Sequence, residues 1–210
     1  MALFENAQYF ASAHDLHQLP PESGAEIAFV GRSNAGKSSA INTLTRHGRL
    51  AFVSKTPGRT QLINFFSIPR GRFMADLPGY GYAKVPPAVK AHWDAFLSEY
   101  LSTRQSLAGL VMIMDARHAM RPSDEVFLDW FSPSEKPVHV LLTKADKLSR
   151  NDGMNALRTV REALAKRPGS GNATAQLFSS LKRTGVDEAE KRLSQIYMDA
   201  EAAARLKNAE

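Results

Sequence analysis

The sequence predicts an α/β fold in which helices lie on both faces of a mostly parallel, six-stranded sheet with one antiparallel edge strand. Segments of strand composition alternate with segments of helical composition from residue 26 onwards, as is typical of parallel sheets wrapped by helices. Two segments, 110–114 and 138–142, are rich in β-branched and aliphatic residues, as strands buried on both faces are. Ligands of such sheets bind at the carboxyl ends of the strands, so functional residues are expected in the loops that follow them.

Each predicted strand is a short apolar segment followed by turn or polar residues. The strands are assigned to 26–30, 62–68, 72–76, 110–114, 138–142 and 176–178. The second and third of them flank the turn residues Pro69, Arg70 and Gly71 and are expected to form a hairpin, which supplies the antiparallel strand. Helical composition marks the segments 37–46, 86–103, 151–166 and 186–207.

Length and composition are those of a globular protein with one main domain. The 210 residues are 43% hydrophobic and 23% charged, and the longest apolar run, 107–114, is too short to span a membrane. We therefore expect no membrane partner, and we expect a monomer. The predicted organisation is an N-terminal arm over 1–24, a domain over 25–199, and a helical extension or tail over 200–210.

Cysteine content and net charge limit the environment and the partners. The chain has no cysteine, which excludes disulfides and thiolate metal sites and suits a reducing, cytoplasmic location. A net charge of +6 indicates an anionic partner, either a nucleic acid or a nucleotide. An ordinary solvated basic surface would give the same charge.

A phosphate-binding motif follows the first predicted strand and precedes the first predicted helix. Its pattern is G-x-x-x-x-G-K-S, and its residues are Gly31, Arg32, Ser33, Asn34, Ala35, Gly36, Lys37 and Ser38. Glycines let the backbone N–H groups turn towards phosphate oxygens, and the helix N-terminus adds partial positive charge. Lys37 is expected to reach the outer phosphates, and Ser38 to offer its hydroxyl to Mg²⁺. The motif alone does not separate ATP from GTP.

A D-x-x-G motif follows the third predicted strand, and its residues are Asp76, Leu77, Pro78 and Gly79. The Asp76 carboxylate can hold a water molecule on Mg²⁺. The N–H of Gly79 can face a third phosphate, because glycine permits the close approach. An isolated D-x-x-G is an ordinary turn, but its spacing after the phosphate loop favours the functional interpretation.

Two further loops indicate which base is bound. The first contains Thr143, Lys144, Ala145 and Asp146. Asp146 can accept hydrogen bonds from the ring N–H and the exocyclic amine of guanine, which adenine does not offer on that edge. The stem of Lys144 can lie along the base plane. A helix N-cap is the alternative role for Asp146.

The second base loop contains Phe178, Ser179 and Ser180. The backbone N–H of Ser180 is expected to donate to the guanine carbonyl oxygen, and capping of the next helix is the alternative. A further loop, 56–60, carries glycine and proline between two threonines. We assign Thr60, with Thr56 as the alternative, to close over Mg²⁺ when a third phosphate is present.

With these motifs in order, the chain resembles the translation-factor class of GTPases and, more closely, the EngB (YihA/YsxC) family of bacterial GTPases. The matching segments are EIAFVGRSNAGKSSAIN, TPGRTQLINFF, DLPGYGYAKV, LLTKADKL and FSSLKRTGVDE. The resemblance implies a Ras-like P-loop G domain that binds GTP and GDP with Mg²⁺ and hydrolyses GTP slowly. It also implies a role in assembly of the large (50S) ribosomal subunit, with rRNA and ribosomal proteins as partners, and a requirement for normal division septum formation.

The resemblance also implies the site residues. The nucleotide would contact the loops described above and a further segment made up of Gly58, Arg59, Thr60, Gln61 and Leu62. Ser38 and Thr60 would bind Mg²⁺ directly, and Asp76 would bind it through water. Lys37, Thr60 and Asn34 are the candidate catalytic residues. Asn34 is included because, in K⁺-activated relatives, an asparagine at this position helps to hold K⁺ near the phosphates; a structural hydrogen bond in the loop is the alternative.

Two residues depart from the general GTPase pattern. Tyr80 follows Gly79, where many GTPases carry a water-orienting glutamine, so hydrolysis is expected to be slow or to depend on other groups. Thr143 replaces the commoner asparagine, and its shorter side chain puts a contact to the guanine ring in doubt.

Three functions remain open at this point: a GTPase switch, a nucleotide-regulated binding module with negligible turnover, and an ATP-dependent small-molecule kinase. A cluster of basic residues is either an rRNA-facing patch or a solvated edge. Its members are Lys55, Arg59, Arg70, Arg72 and Lys84.

Overall fold

The computed structural model describes residues 3–51, 62–80 and 87–207, with only the backbone of 87–94. In this part of the chain, seven strands form one sheet in the order β1-β3-β4-β2-β5-β6-β7. The strands are β1 (Gln8–Ala13), β2 (Glu26–Gly31), β3 (Ile63–Ile68), β4 (Arg72–Asp76), β5 (Leu107–Asp115), β6 (Val138–Thr143) and β7 (Ala173–Leu177). The helices are α1 (Lys37–Leu44), α2 (Pro87–Thr103), α3 (Pro122–Phe131), α4 (Arg150–Ala165) and α5 (Val186–Lys207).

Helices lie on both faces of the sheet, as predicted. On one face, side chains of α2, α3 and α4 pack in one core, which includes Tyr100, Leu128 and Val160. On the other face, α1 and α5 contribute Ile41 and Leu193 to a second core. Successive residues of β2 point alternately into the two cores, so this central strand is buried along its whole length.

The predicted strand count of six is corrected to seven, because the segment expected to be an arm contains β1. This strand pairs antiparallel with β3; Phe4, which precedes it, and Ala13, its last residue, are fully buried. Tyr9 and Phe10 on β1 are more than half and about half exposed, respectively. The strand is therefore held by backbone pairing at a sheet edge, and its sequence lacks the alternation of apolar and polar residues that would have predicted it.

The predicted antiparallel strand is present, but it is not the edge strand. It is β3, which runs antiparallel to both β1 and β4, so β1 occupies the edge. Helix α3 was not predicted. It begins with Pro122 and has Asp124 and Glu125 in its first turn, which are ordinary start signals of a helix.

The parallel pairing brings the ends of five strands to one edge of the sheet. Strand β2 pairs in parallel with β4 and β5, and β6 pairs in parallel with β5 and β7. The loops after Gly31, Asp76, Asp115, Thr143 and Leu177 therefore lie at the same edge. No helix in the described ranges is long and apolar enough to cross a membrane.

Candidate nucleotide-binding site

The phosphate loop has a tightly curled backbone between β2 and α1. Gly31 packs so closely on β5 that a Cβ atom there would lie 2.6 Å from the carbonyl oxygen of Ile113. Gly36, directly before α1, has a φ of 98°, and Asn34 has a φ of 61°. Both are left-handed conformations, which glycine and asparagine adopt more readily than other residues. Residue choice in the loop is therefore consistent with the backbone curl that anion binding needs.

A cavity of about 860 Å³ opens above this loop. Its lining includes residues 32–34 and 36–38 of the phosphate loop, residues 76–79, and Lys144. The volume lies in the range of small-molecule and cofactor sites. Lys37 Nζ forms an ion pair with Asp76 Oδ1 at this cavity. The ammonium predicted to bind phosphate and the carboxylate predicted to hold Mg²⁺ through water are therefore neighbours.

The donor set at this cavity fits a magnesium ion that completes its coordination with phosphate and water. Ser38 and Asp76 both line the cavity and offer oxygen, the element that Mg²⁺ prefers. Across the described ranges, no cluster of three or more His, Cys, Asp or Glu side chains could hold a metal by itself. Mg²⁺ sites of nucleotide-binding proteins have this character, with few protein ligands and several from phosphates.

The DLPG loop continues directly from β4. The Leu77 N–H donates to the Phe29 carbonyl oxygen at 2.9 Å, which extends the pairing with β2, and Gly79 is buried. Tyr80 turns away from the cavity, because its hydroxyl donates to Asp124 at 2.7 Å and its ring stacks on Phe127. Tyr80, which stands where many GTPases carry a water-orienting glutamine, thus packs on α3.

Thr143 joins three neighbouring parts of the site. Its buried hydroxyl lies 3.0 Å from the Met114 carbonyl oxygen at the end of β5, and it contacts the Ala35 carbonyl oxygen of the phosphate loop. A hydroxyl engaged in this way ties β6 to the phosphate loop. The structural role explains a threonine at this position without a contact to the base.

Lys144 spans the site from the base loop to the phosphate loop. Its Nζ donates to the Asn34 carbonyl oxygen at 2.7 Å and to Asp115 Oδ2 at 2.9 Å. Burial acts to raise the pKa of the Asp115 carboxyl, but hydrogen bonds from Arg117 and Lys144 outweigh burial and hold that pKa well below its usual range. Asp115 is therefore ionised and fixes the lysine. Sequence reasoning missed Asp115 and Arg117, although a carboxylate at the end of a parallel strand was a usable signal.

The two loops predicted to recognise the base are in direct contact. Ser179 Oγ donates to Asp146 Oδ1 at 2.5 Å, and the Ala145 N–H donates to the Phe178 carbonyl oxygen at 3.2 Å. The hydrogen bond from Ser179 lowers the pKa of the Asp146 carboxyl, which keeps it an acceptor. Ser180 follows in the turn and is partly buried.

Two predicted residues of the described chain, Leu62 and Arg72, do not line this cavity. Leu62 precedes β3 and is about one-third exposed. Arg72 is not on a basic patch, because its buried guanidinium pairs with Glu201 at 2.5 Å and lies over the Tyr197 ring. Some predicted residues lie outside the described residues, namely Lys55, Thr56, Gly58, Arg59, Thr60, Gln61 and Lys84.

The structure also adds residues to the cavity that the sequence did not indicate. Tyr9 and Ser12 from β1 and Asn64 from β3 line it, and Ser12 Oγ donates to Asn64 Oδ1 at 2.7 Å. Tyr9 and Ser12 reach the site only because β1 pairs with β3, so the missed strand explains why these two were missed. Asn64 lies on β3, within the predicted strand 62–68, and was not assigned to the site.

The two base loops contact each other at the same sheet edge as the phosphate loop. Fold and site are together those of a P-loop GTPase domain. A family model described as "50S ribosome-binding GTPase" matches residues 26–144. This range includes the phosphate loop, the DLPG loop and Lys144 of the first base loop.

Curated relatives agree with this class over nearly the whole chain. A probable GTP-binding protein EngB of Methylobacillus flagellatus is 60% identical over 190 residues, which cover 90% of this chain and 91% of that protein. A probable GTP-binding protein EngB of Neisseria meningitidis serogroup C is 55% identical over 204 residues and 97% of both chains. The chain belongs to the EngB family of GTP-binding proteins, and it is a GTPase.

Solved structures agree in fold. The crystal structure of a probable GTP-binding protein engB matches with a TM-score of 0.64 and 19% identity, covering 83% of this chain and 99% of that one. An Era variant of Aquifex aeolicus matches with a TM-score of 0.63 and 21% identity, over 81% of this chain and 56% of that one. The Ras-like α/β prediction is confirmed, apart from the strand count and the edge position.

Proposed function

We propose that the chain is a GTP/GDP switch that acts in assembly of the large (50S) ribosomal subunit and is needed for normal division septum formation. The observation that supports nucleotide binding most directly is the link between the phosphate end and the base end of the site. Lys144 donates to the phosphate loop at 2.7 Å, and the loop that follows it contacts Ser179 through Asp146. A nucleotide laid across the strand ends would contact both ends of this connected set.

The phosphate end would hold the nucleotide through backbone N–H groups of residues 31–38 and through the Lys37 ammonium. The guanine end would be read by Asp146, with the Ser180 N–H directed at the guanine carbonyl oxygen and Lys144 along the base. Ser179 orients Asp146 through its 2.5 Å hydrogen bond. Rejection of adenine follows from the unpaired carboxylate that an adenine base would leave.

Ser38 and Thr60 would hold Mg²⁺ directly, and Asp76 through water. The ion would neutralise charge on the outer phosphates. Asn34 is the candidate to hold K⁺ near the same phosphates. Its carbonyl oxygen accepts from Lys144 and its backbone is left-handed, so the alternative, structural role of this asparagine has support as well. Equal GTP turnover in KCl and in NaCl would count against the K⁺ role.

Hydrolysis would proceed by attack of water on the γ-phosphorus, with cleavage of its bond to the β–γ bridging oxygen. Lys37 and the N–H groups of the phosphate loop and of Gly79 would stabilise the negative charge that develops. Tyr80 does not line the cavity, and its hydroxyl is engaged by Asp124, so no side chain at this position orients the water. A slow intrinsic rate follows from this arrangement.

The ribosomal partner is supported by the matched family, whose description is "50S ribosome-binding GTPase". A net charge of +6 favours association with an anionic particle such as one rich in rRNA. We propose that the protein acts as a cytoplasmic monomer, that the GTP-bound form binds the large subunit or its precursor, and that hydrolysis releases it.

Co-sedimentation with purified large subunits tests this proposal. The chain is centrifuged with subunits in the presence of GDP, of a non-hydrolysable GTP analogue, or of no nucleotide. We expect most binding with the analogue, and binding that weakens steeply as salt is raised. Equal recovery in the pellet under all three conditions would contradict a nucleotide-controlled switch.

Single-turnover hydrolysis, with and without ribosomal subunits and in K⁺ buffer, separates the switch from a binding module that never turns over. A measurable rate that subunits increase supports the switch. GTP that stays intact over hours in both conditions favours the binding module, in which bound nucleotide only sets the conformation.

A further inference from the structure

A buried carboxylate outside the predicted motifs joins the two loops that face the phosphate cavity. Asp124, in the first turn of α3, is fully buried. Its Oδ1 accepts hydrogen bonds from Arg32 Nε at 3.0 Å and from the Tyr80 hydroxyl at 2.7 Å. Its Oδ2 accepts from the backbone N–H of Arg121 at 2.9 Å. Because Arg32 belongs to the phosphate loop and Tyr80 follows the DLPG loop, Asp124 bridges the two loops.

A backbone contact parallels this side-chain bridge. Arg32 and Tyr80 form an isolated parallel β-bridge, which lies three residues beyond Phe29 and four residues beyond Asp76, the last paired residues of β2 and β4. The side chains are held from other directions too: Arg32 Nη2 donates to the His118 carbonyl oxygen at 2.8 Å, and the Tyr80 ring stacks on Phe127 with centroids 5.2 Å apart. Side chains fixed by several partners hold geometry more strictly than a single contact does.

Tyr80, one of the two residues that Asp124 joins, is the direct chain neighbour of Gly79. Gly79 lines the cavity, and Tyr80, the next residue, does not. Burial, followed by the charge of Asp124, raises the pKa of Tyr80 far above its usual range, so the hydroxyl remains a donor. Removal of that hydroxyl would leave the ring packed on Phe127 and would remove the hydrogen bond that joins Tyr80 to Asp124.

We propose that Asp124 and Tyr80 are positioning residues that hold the Gly79 N–H at a fixed separation from the phosphate loop and so favour GTP over GDP. This inference rests on the proposed contact between the Gly79 N–H and the γ-phosphate. A diphosphate lacks the group that this N–H would contact. Loss of the bridge therefore weakens GTP binding and spares GDP binding.

Isothermal titration calorimetry of the 210-residue chain tests the proposal. It measures the affinity for GDP and for a non-hydrolysable GTP analogue, both with Mg²⁺. For Tyr80→Phe we expect affinity for the analogue to fall about tenfold, as it would if the Gly79 N–H lost most of its hydrogen bond to the γ-phosphate, and affinity for GDP to stay within about twofold. Asp124→Asn should show the same selective loss, because the amide cannot serve all three donors as the carboxylate does.

Tyr100→Phe is the matched control. The Tyr100 hydroxyl also donates to a buried carboxylate, Glu26, at 3.1 Å, and Tyr100 is fully buried. Glu26 begins β2, at the end opposite the phosphate loop. The same chemical change there should leave the ratio of the two affinities at the wild-type value. Thermal unfolding without nucleotide verifies that each variant is folded.

Unchanged affinities in Tyr80→Phe and Asp124→Asn, or equal losses for the two nucleotides, would overturn the positioning role and leave nucleotide binding intact. A wild-type chain that binds neither would refute the proposed function itself. Tyr80→Phe removes one oxygen atom only, so the test does not depend on whether Asp124→Asn folds.

Discussion

At the scale of single residues, Asp146 is oriented before any base arrives. Ser179 Oγ donates to its carboxylate at 2.5 Å and keeps the pKa of the carboxyl low. The oxygen atoms are therefore acceptors throughout the neutral pH range. A base with two donors on one edge matches them, and guanine has this pattern.

Asp146→Asn should shift base preference from guanine towards xanthine. The amide introduces a donor where the carboxylate offered only acceptors, and xanthine carries a carbonyl oxygen in place of the exocyclic amine. We expect GDP affinity to fall by about 100-fold or more and xanthosine diphosphate to become the better ligand, as measured by competition between the two nucleotides. Asp152→Asn, an aspartate in the first turn of α4, is the control. An unchanged guanine preference in Asp146→Asn would refute the role assigned to Asp146.

His139 gives a second prediction at this scale, on stability. Its ring is buried on β6 and lies 2.8 Å from Thr174 Oγ1 and 2.9 Å from Gln176 Oε1. Burial lowers the pKa of His139 to about 4, with the charge of Arg192 acting in the same direction. The unfolded chain binds a proton below about pH 6.5, whereas the folded chain does so only near pH 4. The contribution of neutral His139 to the free energy of unfolding is therefore fully present above pH 6.5, and it is lost as the pH falls towards 4.

Urea denaturation at pH 7 and at pH 4 measures this loss. Between these two values the free energy of unfolding of the wild type should fall by roughly 3 kcal/mol more than that of His139→Gln. The glutamine offers a donor and an acceptor to the same partners but does not titrate. Since the carboxylates titrate in both proteins, the difference between the two losses of unfolding free energy reports the titration of His139 alone. Equal losses in the two proteins would show that His139 is not held neutral by the fold.

At the scale of secondary structure elements, β1 is the strand that the sequence did not reveal. It is anchored at both ends by buried side chains, Phe4 before it and Ala13 at its last position, while the strand between them is largely exposed. The strand also brings Tyr9 and Ser12 to the rim of the cavity. Stability and site geometry therefore both depend on the N-terminal segment.

Phe4→Ala tests this dependence against Phe10→Ala. Phe4 is fully buried in the core that contains α1 and α5, so its truncation should lower the free energy of unfolding by about 3–5 kcal/mol. Phe10 is half exposed and forms an edge-type ring contact with Phe73, so its truncation should cost about 1 kcal/mol or less. Chemical denaturation of both variants measures the difference. Similar small losses would mean that the segment is dispensable to the fold.

Elements with strong local signals were predicted closely. Helix α5 was predicted over 186–207 and is observed as Val186–Lys207, and β4 was predicted over 72–76 and is observed as Arg72–Asp76. Strand β5 begins at Leu107, three residues before its prediction, because the apolar run starts there. The residues of 52–61 that were assigned to the metal lie outside the described chain, so their roles stay predictions.

At the scale of the whole molecule, the site is assembled from loops that are far apart in sequence. Motif spacing predicted the loops that meet, because parallel strands place their carboxyl ends on one edge. Contacts between motifs were not predictable in this way. Arg32 and Asp124 are 92 residues apart, and no local pattern indicates that a helix-start aspartate will receive an arginine and a tyrosine from two different loops.

Arg72 illustrates the same limit for charge. In the sequence it stands among basic residues and suggested an exposed patch, whereas the fold buries it against Glu201, 129 residues away. A cationic side chain can be buried when a carboxylate forms an ion pair with it and an aromatic ring packs against it. Net charge therefore indicated the class of partner but not the residues that would contact it.

The central claim is that one guanine nucleotide lies across the strand ends, held at the phosphate loop and selected by Asp146. Calorimetric titration of the purified chain with GDP and with ADP, both with Mg²⁺, tests it most directly. We predict saturable heat of binding with GDP and none with ADP at the same concentrations. Absence of heat with both GDP and GTP, or equal binding of ADP, would contradict the claim.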